Sequence, residues 1–504
     1  MELVAINDRS KRRKVWIARD SYNHKNKIMN VLITGSTGFI GRATIAYLQG
    51  QGHDITALVR NVDKAANLLG HSIKLIKYSS SEKTLVEEME KCDLVINLAG
   101  SPIATRWTAK KKLELRESRI GTTRVIVNAI KNCHNPPKIL ISGSAVGYYG
   151  DRGAEMLTES SKKGDGFLPE LCDDWETSAL EAQSTGTRVC LLRTGIVLGR
   201  EGGILNTLGP MFENNIGGYI GAEQYIPWIH IYDMVKIIGE CINNESLSGP
   251  INCTTPYAVT NKEFSLNLKQ ATKSKILIRI PTLFITLALG EATQALTNSQ
   301  NVKPKVLETI EFQFQFTSLI HALRNEFEDN NIRIEKYKVE HTDTNQEREK
   351  YGIKNKGQYQ LTSSILLNQD SETLFDFFSS PLNLGLLTPA WMDFHITEMP
   401  ARIDSCSSIR YRIGLWFIGL NWVTKIITWT PNKLFIDTQE KGPYSLWWHE
   451  HLIIENPDGT ITMKDRVIYR IPFWIFGRIA HKVLIKSTLI RIFKFRKQMI
   501  KLRF

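Results

Sequence analysis

The sequence predicts an α/β fold built on a doubly wound parallel sheet, followed by a smaller α+β domain. Two observations support this prediction. From residue 29 onwards, short apolar runs alternate with amphipathic stretches, which is typical of parallel strands covered by helices on both faces. After a polar, charge-mixed linker at residues 328–357, the chain is rich in aromatic and β-branched residues with partial alternation, which is typical of an antiparallel sheet.

Residues 29–327 are predicted to form the first domain. Its apolar runs have the length of buried strands, and helix-length stretches separate them. These runs lie at residues 31–34, 55–59, 94–98, 139–142 and 189–193.

Residues 358–504 are predicted to form the second domain. They contain seven of the eleven tryptophans, and a long helix is expected from about Gly477 to the end. Segments with strand composition lie at residues 408–411, 422–429, 434–439 and 460–469. The pattern indicates a curved antiparallel sheet that packs against one terminal helix.

The net charge of +13 is concentrated at the two ends of the chain. Residues 1–28 carry +5 and residues 478–504 carry +9, so the body between them is close to neutral. A nucleic-acid partner is therefore not predicted, although the whole-chain charge suggests one. Residues 1–28 are expected to be a disordered basic extension, or sequence upstream of a true start at Met29, because they lack the apolar core of a secretion signal.

Composition and cysteine spacing exclude several classes of protein. The apolar and charged fractions are ordinary for a globular chain, which excludes collagen-like and wholly disordered proteins. No uncharged stretch reaches the ~18 residues of a membrane-spanning helix. Seven scattered cysteines without a CxxC pair favour reduced thiols and a cytoplasmic location.

A glycine-rich turn follows the first predicted strand. Gly35 permits a tight turn, Gly38 lets the backbone approach a pyrophosphate, and Gly41 lets the next helix pack closely on the strand. The N-terminus of that helix then faces the anion. The turn therefore predicts nucleotide binding by Gly35, Ser36, Thr37, Gly38, Phe39, Ile40 and Gly41.

The end of the second predicted strand distinguishes the two nicotinamide cofactors. An NAD-selective site usually has an acid there, which binds the ribose 2′-hydroxyl. This chain has Arg60, with Lys64 one helical turn further on. Because a cation can bind a 2′-phosphate, the sequence favours NADP(H) over NAD(H); the alternative is that Arg60 is a solvated loop residue.

Several motifs together resemble the extended short-chain dehydrogenase/reductase superfamily, namely residues 34–41, 97–100, 142–151, 193–199 and 228–233. Its atypical branch, labelled epimerase family, NAD-dependent epimerase/dehydratase-like or cell-division-inhibitor-like, is similar at residues 106–107, 116–122 and 144–153. Residues 278–327 resemble the short C-terminal module of that branch. The resemblance implies a Rossmann-type sheet and NADP(H)-dependent oxidoreductase or epimerase chemistry on a small metabolite. It also implies cofactor contacts from Leu98, Ala99, Gly100 and Ser142.

The catalytic pattern of this superfamily is altered in the chain. A Ser or Thr acts with a Tyr and a Lys in YxxxK, where the Lys lowers the pKa of the Tyr. Ser144 stands in the place of the Ser, but Cys172 and Glu176 stand where the Tyr and the Lys are expected. A carboxylate raises the pKa of a neighbouring acid, so this pair cannot do the same work.

The sequence leaves three alternatives open. In the first, Tyr148 or Tyr149 acts with Ser144 as acid and base; a packed structural tyrosine is the competing interpretation of Tyr149. In the second, Asp173, Asp174 or Glu176 acts as acid and base on an unidentified substrate. In the third, the domain binds the cofactor without fast chemistry, as a sensor or scaffold linked to cell division or the envelope.

Further polar residues are candidates for substrate contacts. Arg106, Arg116 and Arg119 could clasp an anionic group such as a phosphate, or form a solvated helix face. His230, just before Asp233, is interpreted as structural or pocket-lining. No group of His, Cys, Asp and Glu has metal-ligand spacing, so no metal site is predicted.

Residues 358–504 resemble the START-like (SRPBCC) superfamily of helix-grip domains. The resemblance rests on a first strand at residues 358–366, an early helix at Ser371–Ser379 and a long basic terminal helix. It implies an apolar cavity that binds lipids, isoprenoids, polyketides or aromatic metabolites. Because the terminal helix combines an apolar stripe with Lys/Arg flanks, it either closes that cavity or also contacts an anionic membrane surface. The sequence makes no prediction of the oligomeric state.

Overall fold

The protein is described from a computed structural model. The described residues are 2–8, 13–19, 28–70, 72–221, 223–329, 331–338, 345–352, 357–400, 403–415 and 418–504. Glu2–Asp8 pairs with Arg13–Arg19 in an antiparallel hairpin. This hairpin lies in the segment for which the sequence predicts no ordered element, and the rest of residues 1–27 lies outside the described part of the chain.

The first domain is built on a seven-stranded sheet in which every neighbouring pair is parallel. Its spatial order is β3-β2-β1-β4-β5-β6-β7, the doubly wound arrangement that the alternating pattern predicts. In chain order the strands are β1 (Asn30–Thr34), β2 (Asp54–Val59), β3 (Lys74–Lys77), β4 (Leu94–Asn97), β5 (Ile139–Ala145), β6 (Arg188–Thr194) and β7 (Gly249–Cys253).

Helices cover both faces of this sheet. Val31 and Ile33 of β1 belong to one buried apolar cluster, and Leu32 between them belongs to another. The helices are α1 (Phe39–Gly50), α2 (Val62–Leu69), α3 (Glu82–Met89), α4 (Ala109–Arg116), α5 (Thr122–Lys131), α6 (Phe167–Leu180), α7 (Gly203–Glu213), α8 (Ile231–Asn243), α9 (Asn261–Thr272), α10 (Thr282–Leu289), α11 (Gln294–Thr297), α12 (Lys305–Thr309) and α13 (Leu319–Phe327). Short strand pairs join Ile196–Leu198 to Trp228–His230, Gly218–Ile220 to Ile278–Ile280, Tyr225–Ile226 to Val259–Thr260 and Met156–Leu157 to Asn301–Val302.

The second domain is an eight-stranded sheet of antiparallel pairs, with the order β8-β9-β15-β14-β13-β12-β11-β10. Its strands are β8 (Ile332–Lys336), β9 (Tyr359–Leu367), β10 (His395–Glu398), β11 (Ser408–Leu415), β12 (Ile418–Thr430), β13 (Leu434–Lys441), β14 (Leu446–Glu455) and β15 (Ile461–Arg470). Its helices are α14 (Asn345–Lys350), α15 (Ser371–Ser379), α16 (Trp474–Ala480) and α17 (Lys486–Arg503).

The predicted linker contributes to the second sheet. Residues 328–357 contain β8, which pairs with β9 so that Ile334 lies opposite Leu361. Ile332 is buried and packs in the core of the second domain. The alternation of Ile332 and Ile334 with charged residues makes an edge strand, which the polar composition of the segment conceals.

Helix α17 joins the two domains. Phe495, Met499 and Ile500 are buried in one apolar cluster with Ile45 and Leu48 of α1. Three of its cations also form ion pairs, Arg491 with Glu201, Lys497 with Asp329 and Arg496 with Asp465. The apolar stripe from which the sequence suggests membrane contact is therefore packed against protein on this side. In the described part of the chain, no helix is long and apolar enough to cross a membrane.

Candidate functional site

The glycine-rich turn approaches the end of β4 at very short range. Gly35 has φ +65°, and a Cβ added there would lie 2.5 Å from the carbonyl oxygen of Leu98. A Cβ on Gly41 would lie 2.3 Å from the carbonyl oxygen of Gly35. Side chains at these positions would displace backbone, so both glycines are required for the turn and for its contact with Leu98 and Ala99.

The same turn holds an unpartnered polar atom. Ser36 is buried, and within the described residues its Oγ has no hydrogen-bond partner. Helix α1 starts directly afterwards at Phe39, and its N-cap residue Gly38 offers no side chain to the free amides. Free N–H groups, a helix N-terminus and an unpaired hydroxyl together fit the pyrophosphate of a dinucleotide.

Two predicted cofactor contacts lie at β2 and β5, the strands on either side of the pair β1 and β4. Arg60 directly follows β2, is exposed and sits on the side of the sheet where the turn lies. Ser142 is buried on β5, opposite Asn97 of β4. Asn97 accepts a hydrogen bond from Thr34 at 2.6 Å and donates one to Thr123 at 2.8 Å, so it fixes the strand ends around the cleft.

A buried ion pair occupies the position of the expected catalytic residues. Ser144 Oγ donates to Glu176 Oε1 at 2.5 Å. Arg193 binds both oxygens of the same carboxylate, through Nε and Nη2, at 2.8 Å each. Glu176 on α6 therefore points at Ser144.

Cys172 lies one turn before Glu176 on the same helix. Its side chain is buried close to Gly147, at 3.7 Å from a Cβ built there. Burial, with the nearby Glu176 carboxylate adding to it, raises the pKa of the thiol to about 12. A protonated thiol and a paired carboxylate thus stand at the two positions where the sequence leads us to expect the phenol and the ammonium group of the superfamily.

The two tyrosines after Ser144 differ in their surroundings. Tyr149 is fully buried; its Oη donates to Asn252 at 2.7 Å and accepts from Arg193 at 3.1 Å, and burial raises its pKa to about 12. Tyr148 is half-buried, and the Arg193 guanidinium lies 3.6 Å from the centre of its ring. The environment of Tyr149 is that of a structural tyrosine, and Tyr148 is the phenol that solvent reaches.

The candidate substrate arginines are not gathered at one point. Arg119 packs under the end of β4, where its Nη2 donates to the carbonyl of Ser101 at 3.1 Å and burial lowers its pKa. Arg106 is exposed and lies 3.4 Å from the carbonyl of Leu287. Arg116 forms an ion pair with Asp174. Only Arg119 of the three lies beside Gly100.

His230 is a structural residue in this fold. It is fully buried, its Nδ1 accepts from the amide of Tyr232 at the start of α8, and its Nε2 lies 2.9 Å from Glu326. This arrangement fits the interpretation of His230 as structural rather than catalytic.

A cavity of about 210 Å³ lies in the C-terminal domain between the sheet and α17. Its wall is mostly aromatic and aliphatic. Trp422 lines it with an indole Nε1 that is buried and has no hydrogen-bond partner among the described residues. Its polar lining includes the side chains of Asp437, His449, His451 and Arg496.

Asp437, His449 and His451 are not predicted from the sequence as site residues, and neither are Arg193 and Arg42. Arg193 is the only charged residue within an otherwise apolar strand segment at 189–193, and a lone charge in a buried strand signals a buried partner. Arg42 gives a similar signal. It is buried on α1, and its Nη2 lies within hydrogen-bond distance of the carbonyls of Gly385, Leu386 and Thr388 in the second domain.

Comparisons with known proteins agree with this architecture. A family model described as the NAD dependent epimerase/dehydratase family matches residues 31–254, and one described as a domain of unknown function (DUF1731) matches residues 280–326. The epimerase family protein ML0860 of Mycobacterium leprae is 37% identical over 296 residues, which are 58% of this chain and 94% of that protein. The chloroplastic SDR39U1 homologue of Arabidopsis thaliana is 34% identical over 305 residues, which are 60% of this chain and 88% of that protein.

Solved structures extend the comparison to three dimensions. The crystal structure of the human epimerase family protein SDR39U1 (isoform 2) with NADPH has a TM-score of 0.55 and 30% identity, and covers 60% of this chain and 100% of the human chain. The UDP-glucose 4-epimerase of Thermotoga maritima, at 17% identity and a TM-score of 0.50, shares the fold. Because the match includes most of the length of relatives more than 30% identical, the chain belongs to the epimerase family of NAD(P)-binding, short-chain dehydrogenase/reductase-like proteins.

Proposed function

We propose that the chain binds NADP(H) in the cleft above β1 and β4, and that it couples this binding to a small apolar ligand in the C-terminal domain. In this proposal the chain acts as a cofactor-responsive sensor, and it does not turn over substrate by the superfamily's Tyr–Lys chemistry. The observation that carries this proposal is the hydrogen bonding of Arg42, which links the helix after the nucleotide turn to the wall of the cavity in the C-terminal domain.

The choice of NADP(H) rests on the cations near β2. Exposed Arg60 at the end of that strand suits a 2′-phosphate, and the human relative was solved with NADPH. Gly35, Ser36 and the N-terminus of α1 would hold the pyrophosphate. Bound NADPH would supply a hydride; the residues of this chain orient the cofactor and exclude water.

The argument against fast turnover rests on proton supply. Ser144 already donates its only hydroxyl hydrogen to Glu176, and Arg193 neutralises that carboxylate. The Cys172 thiol is protonated and buried. A carbonyl substrate would find no preorganised acid at this point, although general acid catalysis is worth about 10²–10⁴-fold in rate.

Arg42 supplies the connection between the two sites. Its amide donates to the carbonyl of Gly38 in the nucleotide turn at 3.0 Å. Its Nη2 lies 2.7–3.2 Å from carbonyl oxygens in the loop at residues 385–388, and Leu387 and Thr388 line the cavity. Burial lowers the pKa of Arg42 to about 10, so the charge is retained at neutral pH. A movement of the loop at residues 385–388 would therefore be transmitted to the nucleotide turn through the buried side chain of Arg42.

The C-terminal domain is proposed to be START-like, with an apolar ligand between the sheet and α17. The aromatic wall suits such a ligand. The unpartnered indole N–H of Trp422 suits a ligand that carries a hydrogen-bond acceptor.

The coupling is tested by measuring NADPH affinity with and without naphthol, an aromatic probe that carries one hydroxyl. We expect a change of about fivefold or more in the affinity for NADPH, with an equal change for naphthol, because linkage between binding sites is reciprocal. Arg42→Lys, whose shorter side chain withdraws the nitrogen from the carbonyls that Nη2 contacts, should reduce the change to below about twofold. Arg124→Lys on the exposed face of α5 is the matched control. Independent binding in the unmodified chain would refute the coupling.

A second candidate function is NADP(H)-dependent oxidoreductase or epimerase chemistry with Tyr148 as the acid. The exposure of Tyr148 favours it, since this ring is partly exposed and packs 3.6 Å from the Arg193 guanidinium, whereas Tyr149 is fully buried. The rate at which NADPH absorbance falls with a panel of carbonyl compounds distinguishes this enzyme candidate from the sensor. Turnover that Tyr148→Phe abolishes would support this candidate over the sensor.

A further inference from the structure

Two histidines and two aspartates meet at one wall of the C-terminal cavity. Asp437 lies on β13, His449 and His451 on β14, and Asp465 on β15. The strand register places Asp437 opposite His449, and His451 opposite Asp465. Because residues two apart on a strand point to the same face, all four side chains share one face of the sheet.

Each histidine lies between the two carboxylates. Asp437 Oδ2 is 3.6 Å from His449 Nδ1 and 2.9 Å from His451 Nε2. Asp465 Oδ1 is 3.1 Å from His449 Nε2 and 3.1 Å from His451 Nδ1. A neutral imidazole has one N–H, so two neutral histidines can satisfy only two of these four contacts.

Arg496 on α17 indicates which two contacts are hydrogen bonds. Its Nη2 lies 3.5 Å from Asp465 and 3.2 Å from His451 Nδ1. A guanidinium only donates, so His451 Nδ1 accepts from Arg496 and its Nε2 donates to Asp437 at 2.9 Å, while His449 Nε2 donates to Asp465 at 3.1 Å. His449 Nδ1 and Asp437 Oδ2 therefore direct lone pairs towards one point. A metal ion there would displace the proton of His451 Nε2, and that proton can move to Nδ1, which lies 3.1 Å from Asp465 Oδ1.

We propose that Asp437, His449 and His451 bind one divalent transition-metal ion, and that Asp465 orients both histidines from behind. One ligand atom from each of the three residues lies within 4.8 Å of the other two. The two nitrogen–oxygen distances, 3.6 and 2.9 Å, bracket the edge of about 3.4 Å in a tetrahedron with ~2.1 Å bonds. Two histidines and one carboxylate are a donor set of zinc and non-haem iron. A histidine ligand usually donates its other N–H to a carboxylate, as His449 does here and as the 3.1 Å contact between His451 Nδ1 and Asp465 allows once a metal occupies Nε2.

The remaining coordination positions face the cavity. Asp437, His449 and His451 line it, while Asp465 is buried behind them. The unpartnered indole N–H of Trp422 lies in the same wall. The ligand class is therefore an apolar molecule with one oxygen donor, a hydroxyl, carbonyl or carboxylate, which completes the metal's coordination. Three protein ligands with an open position are typical of sites where a metal binds a small molecule.

The test uses the full chain, stripped with a chelator and titrated with Co²⁺. We expect one equivalent to bind and to give the visible d–d bands of a low-coordinate nitrogen and oxygen site. His449→Gln combined with His451→Gln should abolish the bands, and Asp465→Asn should weaken binding about 10–100-fold while keeping the stoichiometry.

His395→Gln is the matched control. His395 contacts Asp393 at 3.1 Å in the same domain, and its loss should leave Co²⁺ binding unchanged. Circular dichroism and NADPH binding report whether each variant folds. Absence of the bands in the unmodified chain would overturn the proposal without any variant, and would mean that Arg496 completes a metal-free network. Bands that persist in the double histidine variant would also overturn it.

Discussion

Each domain buries a cluster of charged side chains beside its candidate site, and these two clusters differ in how fully their hydrogen-bonding groups are used. In the α/β domain, Glu176 accepts from Ser144 and twice from Arg193, whose Nη1 donates to Tyr149. In the C-terminal domain, His449 donates to Asp465 and His451 to Asp437, but His449 Nδ1 lies 3.6 Å from Asp437, too far for a hydrogen bond, and the Nε of Arg496 has no partner within the described chain. The first cluster is closed and the second is open.

A motif shows where a site lies in the fold, but it does not show whether the atoms of that site are free to bind a ligand. The closed cluster lies where the sequence leads us to expect the catalytic residues of the superfamily, yet its donors and acceptors already satisfy one another. The open cluster lies in the other domain, beside a cavity. Matching every buried donor with its acceptor therefore identifies the groups that remain free to bind a ligand, which a motif alone does not show.

Breaking the closed cluster should have the largest effect. Arg193→Met leaves Glu176 buried without a cation, and should lower the free energy of unfolding by about 3–5 kcal/mol. Urea denaturation followed by circular dichroism measures this. Glu176→Leu combined with Arg193→Met should recover part of the loss, because neither charge is then unpaired. A loss below about 1 kcal/mol in the single variant is what a solvated pair would give, and would contradict a closed cluster.

Filling the open cluster should have the next largest effect. Zn²⁺ at about a hundredfold excess over its Kd should stabilise the folded chain by about 2.7 kcal/mol, because the ion binds the native state. Thermal melting with and without a chelator measures the shift in Tm. His449→Gln combined with His451→Gln should remove the shift, whereas an equal shift in that variant would place the ion elsewhere.

Tyr149→Phe should test whether this tyrosine is structural. The change leaves Asn252 and Arg193 without the buried hydroxyl, and should cost about 1–3 kcal/mol of stability. NADPH affinity should not change. Tyr148→Phe is the paired variant, with an expected stability change within about 0.5 kcal/mol. Loss of NADPH binding in Tyr149→Phe at unchanged stability would instead give this phenol a role in the cofactor site.

The fold was predictable where its signals are local. The alternating pattern gives the parallel sheet, and Ser371–Ser379 has the bounds of α15 because Asp370 caps it in the usual way. Strands β3 and β7 were missed, since Lys-Leu-Ile-Lys and Gly-Pro-Ile-Asn-Cys are too short and too polar to stand out. Strand β8 was hidden for a similar reason, as charges surround its two isoleucines.

The candidate sites divide in the same way, because a site formed by consecutive residues is predictable from the sequence and a site formed by distant residues is not. The turn at Gly35 is contiguous, so its spacing alone predicts a nucleotide. Asp437, His449 and Asp465 lie on three strands, and only the register of β13, β14 and β15 brings them together. The absence of metal-ligand spacing in the sequence therefore said nothing about this cluster. The partner of Arg193 was likewise concealed, because Glu176 lies on a helix that the sequence placed but could not orient.

The smallest effect is expected at Cys172, and it tests the closed state directly. With burial raising its pKa to about 12, about one thiol in 10⁴ is ionised at pH 8, and the thiolate is the reactive form. Iodoacetamide should therefore leave Cys172 unmodified in the native chain while exposed Cys406 reacts, as peptide mass spectrometry can show. Arg193→Met should make Cys172 reactive, because it loosens the packing around Glu176. If Cys172 reacts as fast as Cys406 in the unmodified chain, the position of the catalytic tyrosine is open to solvent, and the case for a closed, non-catalytic cluster fails.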